Sequence, residues 1–222
     1  MGTFRELLRV AMREPLELPH RLLEISRDLK LYGMMHEIFI HQQYYYFARG
    51  IKPKSVVVDI GAFMGETAIY FSQFENVSAV IAFEPIPATY ERGLHVLSTT
   101  IPELRKKINY RNAAVRDSEG SVHIPKNYTG SGDTALNKAE GEGQKVPVTT
   151  LNKIFRPGKR YALKIDCEGD ELLVLRKQNL SQVDRIVLEH SENTKGSIIT
   201  LLKEAGFDII SSHQNLILAS RK

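Results

Sequence analysis

Two hydrophobic periods divide this sequence. Up to about residue 48, apolar positions recur at helical spacing. Leu7, Leu8, Val10 and Ala11 form one stripe, and Leu22, Leu23, Ile25 and Leu29 form another. Pro15 and Pro19 break the chain between them, and Gly33 precedes a third expected helix, Met34 to Phe47. Beyond Gly50 and Pro53, short apolar runs alternate with amphipathic stretches. That pattern predicts strands at 56–59, 77–83, 108–111, 146–149, 161–165 and 183–188. Helices are expected over 66–74, 87–99 and 198–205, and from Thr150 and Asp170 onward. Strand alternating with helix implies an α/β fold with a mostly parallel sheet. Phe207–Ile210 and Leu216–Ala219 predict a closing antiparallel hairpin. Val115–Ile124 alternates around Asp117-Ser118-Glu119-Gly120, another hairpin signal. The expected organisation is a helical extension, 1–50, before an α/β domain, 51–222.

Candidate chemistry gathers at the C-terminal ends of the expected strands, where open α/β sheets bind ligands. Val56-Val57-Val58 runs into Asp59. Gly61 and Gly65 then bracket a turn, with Ala62 and Phe63 between them. A dinucleotide fold places a glycine where Phe63 stands, so that the backbone reaches a pyrophosphate. The Phe63 side chain would crowd that group. A cofactor without phosphates fits better, and S-adenosylmethionine is one. Asp59 suits its cationic amino group. Glu84 ends the 77–83 strand, twenty-five residues after Asp59. A carboxylate there suits both ribose hydroxyls. Pro85 and Pro87 then start a helix.

Four segments together resemble a known family. Val-Asp-Ile-Gly-Ala-Phe-Met-Gly, Ile-Ala-Phe-Glu-Pro-Ile-Pro, Asn-Ala-Ala-Val (112–115) and Leu-Lys-Ile-Asp-Cys-Glu-Gly-Asp-Glu (163–171) look like the FkbM-type class I methyltransferases. The resemblance covers about residues 51 to 190. It implies a Rossmann-like sheet ending in an antiparallel hairpin, and S-adenosylmethionine as cofactor. Asp59, Gly61, Ala62, Phe63, Gly65, Glu84, Pro85, Asn112, Ala113 and Asp166 are the implied cofactor contacts, Asn112 at the adenine edge. The family expectation for the acceptor is a hydroxyl on a small molecule or sugar.

Methyl transfer to oxygen requires an aligned nucleophile and a route for its proton. Asp166, Glu168, Glu189 and His190 end the strands beside the expected cofactor. Either His190 or Asp166 could be a general base, since histidine titrates near neutrality. Alternatively, Asp166 and Glu189 could hold a divalent metal, as acids do in the similar catechol-type O-methyltransferases; this is the less favoured mechanism. Lys164 is expected to pair with an acid, and Glu168-Gly169 to bend the backbone toward the cofactor. Asn152 is expected to cap a helix. The Tyr44-Tyr45-Tyr46-Phe47 cluster is expected to pack on a core rather than line a pocket.

Composition narrows the alternatives. With 222 residues, 42% hydrophobic and 25% charged, the chain has the make-up of a soluble globular domain. No stretch approaches a membrane span, and the first residues lack the apolar core of a signal peptide. The lone Cys167 excludes an internal disulfide and suits a reducing cytoplasm. A net charge of +4 permits nucleic-acid binding, but the basic residues form no track. RNA methylation is therefore an alternative behind a small-molecule acceptor, as is a non-catalytic cofactor-binding module. Asp-Cys-Glu-Gly after the 161–165 strand is not the Asn/Asp-Pro-Pro-Tyr of base-amino methyltransferases. Phe63 and the closing hairpin exclude a nicotinamide dehydrogenase. Asn127–Gln144 is polar and rich in small residues, and reads as a flap near the substrate.

Overall fold

The computed structural model describes residues 34, 36–98, 100, 102–125 and 143–221. The helices expected before Gly33 and the flap expected at 127–144, its last two residues apart, lie outside these residues. Strand β1 (Ser55–Ile60) is buried at every position, which suits its β-branched run. It pairs in parallel with β2 (Val77–Phe83) on one side and with β7 (Tyr161–Ile165) on the other. The seven-stranded sheet has the order β3-β2-β1-β7-β8-β10-β9, with β3 Ile108–Arg111, β8 Val183–Glu189, β9 Asp208–His213 and β10 Leu216–Ser220. The chain winds outward from β1 to β3 and then returns to β7. β1 and β7 therefore flank the switch point of the sheet. β10 is antiparallel to both β8 and β9, as the closing hairpin required.

Side-chain alternation gives this sheet two cores. Val57 and Ala162 face one, with Phe47, Tyr70, Phe71 and Phe74. Val56, Val58, Leu163 and Ile186 face the other, beneath Ile198 and Leu202 of the helix Glu192–Glu204. Helices on both faces explain why the central strands are apolar throughout. The helix after β1, α2 (Glu66–Ser72), has every residue buried.

The expected helix 34–47 is broken. A π-helical turn spans His36–Ile40, Gln42 adopts a left-handed backbone (φ 51°), and a short helix α1 covers Tyr45–Arg49. Packing decides this geometry, because both pieces bury aromatics against α2. The Phe71 ring lies 5.8 Å from that of Tyr44 and 5.5 Å from that of Phe47. The Asn76 amide donates to Ala48 O at 2.9 Å and to Ile51 O at 2.8 Å, tying the segment down. The described part of the extension thus shares a core with the sheet.

The segment after β3 forms a second sheet, β4 (Ala114–Val115), β5 (Gly120–Pro125) and β6 (Gly143–Thr149), in the order β4-β6-β5. This corrects the hairpin expected over 115–124, because β6 lies between its two arms. β4 has two residues and cannot ladder along β5, whereas β6 pairs with six positions of β5. Ala114, Val122, Ile124, Val146 and Val148 form the resulting apolar layer. Asn152 is also reassigned. Thr150 caps the following helix, accepting from Lys153 N at 3.3 Å. The Asn152 side chain instead accepts from Asn179 N at 2.8 Å and donates to Lys177 O at 3.2 Å.

Phe71 is fully buried and joins the extension to the sheet. Phe71→Ala is expected to lower the unfolding free energy by about 3–5 kcal/mol. Urea denaturation measures this, and a loss below about 1 kcal/mol would mean that the aromatic contacts carry little of the fold.

Candidate active site

The β1–α2 turn is compressed against the end of β7. Gly61 has φ +76°, and a Cβ there would lie 1.6 Å from Asp166 O, so only glycine fits. Phe63 is also left-handed, with φ 46°. Such strain needs support. Phe63 N donates to Glu84 Oε2 at 3.1 Å, and the Tyr110 hydroxyl donates to Phe63 O. The Glu84 carboxylate also accepts from Ile86 N, at 2.8 Å. Strand ends β1, β2 and β3 are therefore fixed to one another through this turn.

Beneath the turn lies Lys164 on β7, almost completely buried. Its Nζ donates to Gly61 O at 2.7 Å, and lies 3.3 Å from Asp59 Oδ1 and 3.5 Å from Asp166 Oδ2. The expected acid partner is thus two acids. Asp59 Oδ2 accepts the Thr67 hydroxyl at 2.5 Å. Burial pulls the Lys164 pKa down, but Asp59 and Asp166 outweigh it and hold the ammonium well above the usual lysine value. Burial pushes the Asp59 carboxyl up, against Lys164.

Above the turn opens a cleft. Its walls include Gly61, Phe63, Glu66, Thr67, Glu84 and Pro85 from the β1 and β2 ends. Lys164, Asp166, Cys167, Glu168 and Glu189 come from the β7 and β8 ends, and Glu37, Ile38, Gln43 and Tyr44 from the extension. Tyr44 both packs on Phe71 and lines the cleft. A smaller hollow adjoins it, lined by Phe83, Pro85, Ala113, Val115 and Cys167 among others. Burial pushes Glu84 up to about 7. Glu189 is pushed up to about 7 by burial and then by Asp166 and Glu168. Burial also pushes the Cys167 thiol well up, as suits an inert side chain.

Of the residues expected from sequence, Gly61, Phe63, Glu84, Pro85, Asp166 and Glu189 meet around the cleft. Asp59, Ala62 and Gly65 are not among its lining residues, and Ala113 lines the hollow. The Asn112 amide donates to Glu84 O at 2.9 Å and to Pro85 O at 3.0 Å, so both its protons are spent clamping that loop. His190 is not among the cleft residues. Its Nδ1 lies 3.0 Å from Ser191 O, which can only accept, so the proton sits on Nδ1. Asp166 and Glu189 share the cleft, but among the described residues no three His, Cys, Asp or Glu side chains are arranged to hold a metal.

Sequence reasoning missed Glu66, which is buried in the cleft wall with Oε2 taking no hydrogen bond. The signal was Ala68-Ile69-Tyr70-Phe71, a helix apolar on all sides and therefore buried all round. Glu171, which the sequence placed only in the 163–171 segment at the start of a helix, also shapes the loop after β7, its Oε1 accepting from Gly169 N at 2.9 Å and Cys167 N at 3.3 Å.

Strand order, closing hairpin and cleft position define a class I methyltransferase fold. Residues 59–209 match the Methyltransferase FkbM domain family, and the chain belongs to it. Among solved structures, it is similar to the methyltransferase FkbM of Methylobacillus flagellatus KT, with 15% identity and a TM-score of 0.53 over 86% of this chain. The chain covers 53% of that protein, about half its length. It is also similar to Streptococcus pneumoniae Sp1610, a candidate tRNA (m1A22) methyltransferase solved with S-adenosyl-L-methionine. That likeness has 13% identity and a TM-score of 0.51, covering 81% of this chain and 72% of the other. A protein of the NADB-Rossmann superfamily from Streptococcus agalactiae gives 14% identity and a TM-score of 0.51, covering 81% and 68%. No curated protein matches the chain. At these identities the likeness to solved structures is one of fold.

Lys164→Met leaves the Asp59 carboxyl buried without its cation. The expected loss is about 3–5 kcal/mol of stability. Adding Asp59→Asn to that variant should recover part of it. Urea unfolding of the single and double variants tests this, and additive losses would show that the two side chains do not act as a pair.

Proposed function

We propose that this chain is an S-adenosylmethionine-dependent methyltransferase acting on a hydroxyl of a small molecule or sugar. One observation carries the reading. Among the described residues, the cleft at the switch point is lined by six acidic side chains, Glu37, Glu66, Glu84, Asp166, Glu168 and Glu189, and by one ammonium, that of Lys164. Such a wall favours a cation, and the orphaned Glu66 oxygen fits a positively charged ligand. Phe63 stands where a pyrophosphate would need a glycine.

When bound, S-adenosylmethionine supplies a methyl group on a sulfonium, open to in-line displacement. Glu84 would hold the ribose. Its two backbone hydrogen bonds fix the carboxylate and leave lone pairs for hydroxyls. The apolar hollow beside Pro85, Ala113 and Cys167 would take the adenine, with Asn112 shaping its rim through the 84–85 carbonyls. Asp166, held against Lys164, would orient the donor. Glu189 is the favoured base. It lies in the cleft, titrates near neutrality and accepts the Asn215 amide, which fixes it. The role considered for His190 passes to Glu189 in this reading. Ile38, Gln43 and Tyr44 would cover the reacting groups and exclude water.

The alternative acceptor, RNA, is disfavoured by the acidic lining of the described cleft, which repels phosphate. Among the described residues no helix is long and apolar enough to cross a membrane.

Calorimetric titration with S-adenosylmethionine tests the reading. The folded wild type should bind, and Glu84→Ala should weaken binding by at least about tenfold. A folded wild type that does not bind would overturn the assignment. With an acceptor found by labelled-methyl screening, the rate should rise with pH and level off above about 7, as Glu189 ionises. Glu189→Gln should lower kcat by about 10²–10⁴ and remove that limb. A retained limb in that variant would exclude Glu189 as the base.

A further inference from the structure

We infer that Glu66, and not Asp59, supplies the negative charge that holds the cationic part of the methyl donor. This rests on the donor assignment above. Asp59 is the acid that the motif pattern offers for the task, but its charge is already spent. It is fully buried and does not line the cleft; its Oδ2 accepts the Thr67 hydroxyl, and its Oδ1, which takes no hydrogen bond, lies 3.3 Å from Lys164 Nζ, its counter-ion. Lys164 is equally committed, to Asp59, Asp166 and Gly61 O. Asp59 thus faces a counter-ion behind the turn, and of the two acids around Lys164 only Asp166 also reaches the cleft.

Glu66 is in the opposite position. It lines the cleft, is 1% exposed, and its Oε2 accepts no hydrogen bond. An ionised carboxylate left like this is costly, so the group holds its proton instead. Burial pushes its pKa up to about 8. Its own backbone N–H and Lys164 oppose this, while Asp59 and Glu84 add to it. Among the described residues, the charged and titratable groups that act on it are Asp59 at the end of β1, Glu84 after β2, Tyr110 on β3 and Lys164 on β7, with Glu37 and Asp166 on the same cleft wall. None of these except Lys164 brings positive charge, and Lys164 is tied elsewhere. A ligand cation entering the cleft supplies the missing partner. The Glu66 carboxyl then ionises and releases its proton, which leaves to solvent as the complex forms.

The test is calorimetric titration of S-adenosylmethionine into the wild type, Glu66→Gln and Glu66→Asp at pH 6. Each is measured in two buffers of different ionisation enthalpy, so that protons released on binding are counted. At that pH an α-amino group is already protonated before it binds, so the donor itself takes up no proton. At pH 6 the wild type should release up to about one proton more than Glu66→Gln, because a group with that pKa is almost fully protonated there before binding. Glu66→Gln should bind about tenfold or more weakly, and Glu66→Asp should retain part of both effects. A folded Glu66→Gln with wild-type affinity and unchanged proton release would overturn the inference while leaving the donor assignment intact. Should Glu66→Gln fail to fold, the wild type decides, and donor binding at pH 6 without proton release would overturn the inference. A wild type that binds no donor overturns the assignment and this inference with it.

Discussion

The buried ammonium of Lys164 is the constraint on which the site depends. It joins a carboxylate at the end of β1, a turn carbonyl at Gly61 and a carboxylate just beyond β7. Those strands are neighbours in the sheet, paired in parallel up to Ile60 and Ile165. A lysine in such a place is costly unless it is paired, and here one carbonyl accepts from it and two carboxylates neutralise it. The left-handed turn of Gly61 and Phe63 is folded over this charge. The cleft is in turn the outer surface of that turn, so its shape follows from the ion pair beneath it.

Much of this was legible in sequence because it follows from local rules. The Val56–Val58 run, the glycines at 61 and 65 and the acids closing successive strands gave the sheet and the edge where the cleft opens. The pairing of Lys164 with an acid could be read from a lysine inside an apolar strand. What was not legible depends on contacts distant in the chain. Whether Val115 pairs with Ile124 or with β6 turns on which strand is long enough to offer a full ladder. Asn112 looks like a free amide until the 84–85 loop takes both its protons. His190 follows Glu189 directly, but the side chains of adjacent strand residues point to opposite faces, and only Glu189 reaches the cleft. Glu66 was hidden because an acid at the start of a helix ordinarily faces water. Here the extension covers it.

The small sheet is fastened to the cleft loop by one ion pair. The Arg116 guanidinium reaches Asp170 Oδ2 at 2.6 and 2.9 Å, both side chains being largely buried. Asp170 closes the loop that follows β7, the loop that Glu171 holds from the other side. The second sheet therefore braces a loop carrying Asp166, Cys167 and Glu168 into the cleft, although its own strands contribute no cleft side chain among the described residues.

The segment 36–49 faces two ways. Phe39, Phe47 and Ala48 belong to the core, while Glu37, Ile38, Gln43 and Tyr44 line the cleft. Ile38 and Tyr44 do both. Divergence toward new acceptors along this stretch is thereby coupled to folding. A change that reshapes the wall at Ile38 or Tyr44 also disturbs the packing on Phe71, and must be matched by a compensating change in α2. Glu37 and Gln43 carry no such tie to the core, so they are the places where selectivity could drift freely among relatives that keep the same scaffold.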